Sequence, residues 1–299
     1  MTTTSFFQNQ GTKITLKLAL IFILTLFLLI PKFMILDLVQ ERQKLSETVI
    51  DEVSKGWGSK QIHTGPAVVI PYFQFIQGED KTKPAVKTKT QIVIFPEQLS
   101  IDGKLNTEEK YRSLYKVLLY NSALTVKGSF KLPESSLTNI NSADILWNEA
   151  SVIMGISDLK GINDEIALQW NGKTVSLNPG MSDISFSSLP ISQLENSYAL
   201  PANDYQTYNI TTGLQGKIDL GDTKQNYFFS YTLKLRGSKA LLFAPLAKST
   251  KVNIQSSFVD PVYFGGFLPD HTTNTQGFDA TWNCKTKYEY IAWRQPFWC

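Results

Sequence analysis

Residues 165–177 read EIALQWNGKTVSL, and this stretch decides the fold class. Ile166, Leu168 and Trp170 alternate with other positions, as do Val175 and Leu177, so each arm carries the period-two pattern of a half-buried strand. Between the arms sits Asn171-Gly172, the pair best suited to positive φ at both central positions of a type I′ turn. The spacing predicts an antiparallel hairpin.

The same signs recur on both sides of it. AVVIPYFQFIQ from Ala67, KTQIVIFPE from Lys89 and LSIDGKL from Leu99 are short strand-like runs divided by Pro, Gly and Asp. RSLYKVLLY and ALTVKGSFK follow as two further runs, then YFFSYTLKLRG, KALLFAP, KVNIQSSF and GFDATWN. Gly213-Leu-Gln-Gly216-Lys217 reads as a strand turn. Only Asn106–Tyr115 and Ser192–Tyr198 leave helix and strand open, and no fixed-period repeat occurs. Gly65–Tyr72 and Asp260–Asp270 are dense in Pro and Gly, and read as sheet corners without a catalytic residue. With no long helical period between strands, an antiparallel, sandwich-like domain is expected rather than βαβ units.

A different pattern opens the chain. Leu18–Ile30 reads LALIFILTLFLLI, broken only by Thr25. Alone it would make a helix of about 20 Å, the size of a signal-peptide core. No small-x-small cleavage site follows before Ser46. Extended to Ile14–Leu36, the helix reaches about 35 Å, enough to cross a bilayer with Lys17 and Lys32 snorkelling at its ends. An uncleaved transmembrane anchor is expected, with the lipid bilayer as its partner. Basic residues flank it almost evenly, so orientation rests on size: residues 1–13 form a short cytoplasmic tail and the bulk lies outside. Residues 37–56 place Leu38, Leu45, Val49 and Val53 at helical spacing, which predicts a membrane-proximal helix continuous with the anchor and closed at Lys55-Gly56. The fold class is therefore mainly β: one N-terminal transmembrane helix, then a large β-rich extracytoplasmic domain over residues 57–299.

Composition narrows the chemistry. An apolar share of 42% is enough to build a core. Twenty-nine basic against 26 acidic residues leave +3, no excess for neutralising nucleic-acid phosphates. Two His and two Cys are too few for an all-protein structural zinc site. G-x-S-x-G, H-E-x-x-H, C-x-x-C and the P-loop pattern do not occur. No catalytic, cofactor-binding or metal-ligating residue is assigned, and the chain is expected not to be an enzyme.

Four local features each admit both a functional and a structural reading. In Gly155-Ile-Ser157-Asp158-Leu-Lys-Gly161 a serine stands beside a carboxylate. Adjacent in a strand they would point to opposite faces, and a base would have to be His63 or His271, so a turn with an Asx hydrogen bond accounts for them better. Lys81, Lys83, Lys87 and Lys89, next to Glu79 and Asp80, read as a solvated loop guarding an edge strand rather than a lipid-headgroup contact. Phe258, Tyr263, Phe264 and Phe267 read as a core corner, with a partner patch as the alternative. Cys284 and Cys299 are close enough for a disulfide in an oxidising compartment, and their pairing stays open.

The order of segments resembles the CreD family of inner-membrane proteins associated with cell-envelope integrity. The matching pieces are LLIPKFMILDLVQER, then Trp57 to Tyr72, LYKVLLYNSALTVKGSF, GISDLKGI, and LNPG at Leu177–Gly180. The longest runs from Gly237 to Trp282. The resemblance implies a bacterial inner (cytoplasmic) membrane protein with a large periplasmic domain and no established enzymatic activity; it supplies no functional residues. Family members continue into several hydrophobic helices, whereas NCKTKYEYIAWRQPFWC departs from the pattern, so a truncated form, a fragment or a single-pass variant is expected. The expected role is a non-catalytic contribution to envelope integrity, with an unknown envelope protein or lipid as partner. A sensor or assembly module acting on a membrane partner is the alternative, and an unrecognised hydrolase the third reading.

Overall fold

A computed structural model of the chain describes residues 10–77, 84–132, 140–181, 210–221, 226–263, 267–285 and 290–293. Readings placed on Glu79, Asp80, Lys81, Lys83, Ser192–Tyr198, Phe264, Gly265, Gly266 and Cys299 fall outside these residues. The chain divides into two units, Met1–Val53 with Arg112–Tyr115, and Ser54–Tyr111 with Lys116–Cys299.

Helix α1 (Gln10–Trp57) is continuous and carries Pro31 inside it. It is long and apolar enough to cross a membrane, and none of its apolar window is buried by protein. A core helix would hide at least one face, and here Leu20, Phe22, Phe27 and Met34 are all exposed. Thr25 Oγ donates to Ile21 O at 2.8 Å, which satisfies the one hydroxyl of the Leu18–Ile30 run within the helix. In this unit Arg112 also pairs with Glu52 at 3.1 Å, both side chains half exposed. The helix runs through the expected membrane-proximal segment, but its stop is not Lys55-Gly56. Gly56 is still helical, and the chain leaves the helix at Gly58, whose φ of +150° suits glycine. A Cβ there would lie 2.6 Å from Arg236 O, so a second constraint holds the position.

The described β domain contains fifteen strands in two sheets. In chain order they are β1 (Gln61–Ile76), β2 (Val86–Ile94), β3 (Gln98–Arg112), β4 (Tyr115–Lys131), β5 (Ser151–Ile156), β6 (Ala167–Trp170), β7 (Lys173–Ser176) and β8 (Asn178–Pro179). Then come β9 (Gly213–Lys217), β10 (Asn226–Ser238), β11 (Leu241–Ala244), β12 (Ser249–Ser256), β13 (Asp270–Asn274), β14 (Gly277–Lys285) and β15 (Tyr290–Trp293). The first sheet runs β15-β2-β1-β5-β9-β8 with β11 also against β1; the second runs β13-β14-β12-β3-β4-β10-β6-β7.

The predicted hairpin is present as β6–β7. Asn171 and Gly172 have φ of +45° and +79°, and Trp170 pairs with Lys173. Ile166, Leu168 and Trp170 are buried, as their spacing requires. The domain is mostly antiparallel, but β1–β11 and β3–β12 pair in parallel. Those partners are far apart in sequence, so no local pattern announces them. From Tyr115 onward, RSLYKVLLY and ALTVKGSFK form one strand, β4, rather than two. Asn106–Tyr115 resolves into the end of β3 and a tight turn, with Ser113 at φ +56°. Gly213–Lys217 is strand β9, not a turn.

Gly65–Tyr72 is not a corner. It lies inside β1, where the register against β5 shifts between Thr64 and Ala67. That bulge takes up Pro66, which could not donate to the ladder, and Gly65 supplies φ of +96°. Every residue from Gln61 to Tyr72 is buried. Val68, Ile70 and Tyr72 join a large cluster that also holds Leu99, Val126 and Phe229 of the second sheet. Ala67 and Val69 face a smaller cluster with Ile153, Ile210 and Leu246. Both faces of β1 are therefore covered, which is why AVVI runs unbroken instead of alternating. In the second sheet β10 alternates cleanly, with Tyr227, Phe229, Tyr231 and Leu233 buried and Phe228 exposed.

Candidate functional site

Ser157 and Asp158 do not sit in a strand. β5 ends at Ile156, and Asp158 caps a short 3-10 turn (Leu159–Gly161) by accepting from Lys160 N at 3.1 Å, the expected Asx bond. With the strand over, the two side chains do not diverge; both turn onto the segment that leads into β1. Ser157 Oγ donates to Lys60 O and accepts from Ile62 N, each at 2.9 Å. Asp158 Oδ2 accepts from Ser59 N and Ser59 Oγ, each at 3.0 Å. Burial alone would raise the Asp158 carboxyl; the bonds from Ser59 and Lys160, with the nearby Lys160 charge, outweigh it and hold the group below its usual range.

Neither histidine serves that serine. His63 is buried on β1, and its Nε2 shares a hydrogen bond of 2.9 Å with Tyr231 OH. Burial pulls its pKa down to about 4, so the ring is neutral. His271 is exposed on β13, its ring 4.7 Å from that of Tyr263. Cys284 is buried on β14, and loss of solvation pushes its thiol up to about 11, away from nucleophilic use. Among the described residues no three His, Cys, Asp or Glu side chains come together.

Of the lysine run, Lys87 pairs with Asp144 at 3.2 Å and lies 4.5 Å from the centre of the Phe73 ring, while Lys89 pairs with Glu149. Tyr263 packs edge-on against Phe278 and Trp282, two residues that border the large cluster.

The arrangement that no sequence pattern disclosed lies on the outer face of β3, β12, β14 and β13. Their registers align Lys104, Gln255, Asp279 and Thr272 in one row across four strands. One step along, Asp102, Asn253, Thr281 and Asp270 form a second row. Gln255 Nε2 donates to Asp279 Oδ2 at 2.8 Å, and Thr281 Oγ donates to Asn253 Oδ1 at 3.2 Å. The first row lines a shallow, open depression of about 380 Å³ together with Asn106, Asn274 and Gln276. The period-two spacing of Asp102, Lys104 and Asn106 is visible in the sequence; its alignment with Asn253 and Gln255 depends on the parallel β3–β12 pairing.

A family model described as inner membrane protein CreD matches residues 13–290. The protein described as inner membrane protein CreD from Escherichia coli (strain K12) is 27% identical over 271 residues, 89% of this chain and 54% of that one. The chain thus spans about half the length of this curated relative. A solved structure from Parabacteroides distasonis, described as a protease candidate, is 10% identical and covers 68% of this chain and 36% of its own, with a TM-score of 0.24. At that score the likeness carries no argument.

Proposed function

The chain belongs to the CreD family of inner membrane proteins, and from that footing we propose that it is an anchored, non-catalytic envelope protein whose β-rich domain is periplasmic. The observation that carries the reading is α1, whose apolar window is wholly exposed to whatever surrounds it. In this reading Ile14–Leu36 stays attached and spans the bilayer, residues 37–56 continue the helix, and residues from 57 onward lie outside the cytoplasm. The two sheets are sandwich-like, since one hydrophobic cluster takes residues from both. The non-catalytic assignment is supported by the engagement of Ser157, Asp158 and His63, each bonded to backbone or to a buried neighbour.

Reporter fusions after Gly65 test the topology. Alkaline phosphatase should be active there, and green fluorescent protein exported by the Sec route should be dark. The reverse pattern overturns the assignment. A second reading, a module acting on a membrane partner, is favoured by Val259, Val262 and Leu268, three exposed aliphatic residues between β12 and β13.

A further inference from the structure

We propose that Asn171-Gly172 is a site of spontaneous backbone modification, where the tip of the β6–β7 hairpin passes through a cyclic imide to isoaspartate and aspartate. The site lies wholly in the β domain and is independent of the topology of α1.

The chain has one Asn-Gly step, and this is it. Gly172 has no side chain to shield its nitrogen, and a Cβ built there would meet nothing within 4 Å. Both residues are exposed. In the reaction the Gly172 amide gives its proton to water, and its nitrogen bonds to Asn171 Cγ. The Cγ–Nδ2 bond breaks and ammonia leaves. Water then opens the five-membered imide at either carbonyl. One cut gives aspartate; the other routes the main chain through Cγ as isoaspartate. Nothing is oxidised or reduced, and water is the sole co-reactant.

The turn supplies the route. With positive φ at both residues, Asn171 and Gly172 form a type I′ turn. The imide ring instead holds the Asn171 ψ in the negative range of the first central residue of a type II′ turn, where φ is likewise positive. The two turns differ by a rotation of the single peptide plane between Asn171 and Gly172. Gly takes the φ of both turns without strain. Both turns close a two-residue hairpin, so the Trp170–Lys173 pairing and the bond from Asn171 N–H to Phe228 O survive the rotation. The bond given up is that from Phe228 N–H to Asn171 Oδ1, because the carboxamide is drawn onto the Gly172 nitrogen. Asp102-Gly103 and Asn121-Ser122 lack this freedom. They lie inside β3 and β4, each flanked by a strand on both sides.

The effect reaches the core. Isoaspartate adds a main-chain carbon to a two-residue loop, which the hairpin geometry does not accommodate. Trp170, the last residue of β6, is buried with the rings of Phe130 and Tyr227 each 5.6 Å from its own. A modified tip therefore loosens a core aromatic stack.

The test ages the full chain in lipid nanodiscs in mildly alkaline heavy-oxygen water. Its peptides are then mapped by mass spectrometry, with electron-transfer fragmentation to separate isoaspartate from aspartate. Heavy oxygen should enter the peptide that carries Asn171, and not those that carry Asp102 or Asn121. Conversion should run roughly fivefold slower than in the same chain unfolded in urea, the cost of one exposed hydrogen bond. Its rate should stay constant as urea is raised below the unfolding transition, since a peptide rotation exposes almost no new surface. Asn171→Gln should end incorporation at that peptide, because the longer side chain would have to close a six-membered ring. No conversion at Asn171 in the folded chain, while the unfolded chain converts fully, overturns the site. A rate that climbs with urea in step with unfolding overturns the turn rotation as its route.

Discussion

Asn171 and Phe228 hold each other twice: Asn171 N–H donates to Phe228 O at 2.9 Å, and Phe228 N–H donates to Asn171 Oδ1 at 2.7 Å. The turn residue is thus also a clamp between the β6–β7 hairpin and β10. Positive φ suits Asn at this position, and its side chain reaches the neighbouring backbone as Gly could not.

The clamp separates two costs at adjacent residues. Gly172→Val forces a β-branched residue to φ of +79°, with nothing within 4 Å of the new Cβ, so the loss is backbone strain without a clash. It should cost about 1–3 kcal/mol. Asn171→Ala should cost about 1 kcal/mol for the exposed Phe228 bond, plus a smaller share for the turn. Thermal melting of the full chain checks both, and an unchanged midpoint in Gly172→Val would contradict the turn geometry.

The buried His63 is expected to make the domain sensitive to acid. Its folded pKa of about 4 lies below the ordinary 6.5, so the unfolded chain binds the proton more readily between those values. Stability is full above pH 6.5 and falls as the pH drops toward 4, by up to about 3 kcal/mol. His63→Leu should lower the melting point at pH 7, because Tyr231 loses its partner, yet flatten the decline between those pH values. A slope equal to that of the unchanged protein would assign the acid sensitivity to other groups.

Asp158 and Ser157 are tested as structural residues. Asp158→Ala removes the acceptor of three bonds and should destabilise by about 1–3 kcal/mol; Ser157→Ala, losing two, by about 1–2 kcal/mol. Asp158 is held below its usual pKa, so its contribution is present above the unfolded value and fades as the pH falls through the folded one. The decisive comparison is any envelope phenotype in Asp158→Asn: loss of phenotype with the melting point preserved would revive the hydrolase reading.

What was legible in the sequence follows from the range of the forces involved. The Asn171-Gly172 turn and the alternation of β10 depend on neighbours a few residues away, and both were readable. The long apolar helix was readable because a run apolar on every side is a local feature of the sequence. The Asx turn at Asp158 was readable from its own few residues, whereas the reach of Ser157 and Asp158 onto Ser59–Ile62 was not, because it depends on β5 lying against β1. The Gly65-Pro66 bulge passed for a corner because proline in a central strand is unusual, and only the register against β5 reveals its place. The polar rows could not be assembled at all before β3 met β12, strands separated by most of the domain.

The double coverage of β1 has a thermodynamic consequence. Its Val68–Ile70–Tyr72 side belongs to one apolar cluster and its Ala67–Val69 side to the other, so neither can open without wetting a strand that the other requires. Two layers joined through one backbone melt as a single cooperative unit, and the amides of Gln61–Tyr72 will be among the slowest in the chain to exchange with deuterium.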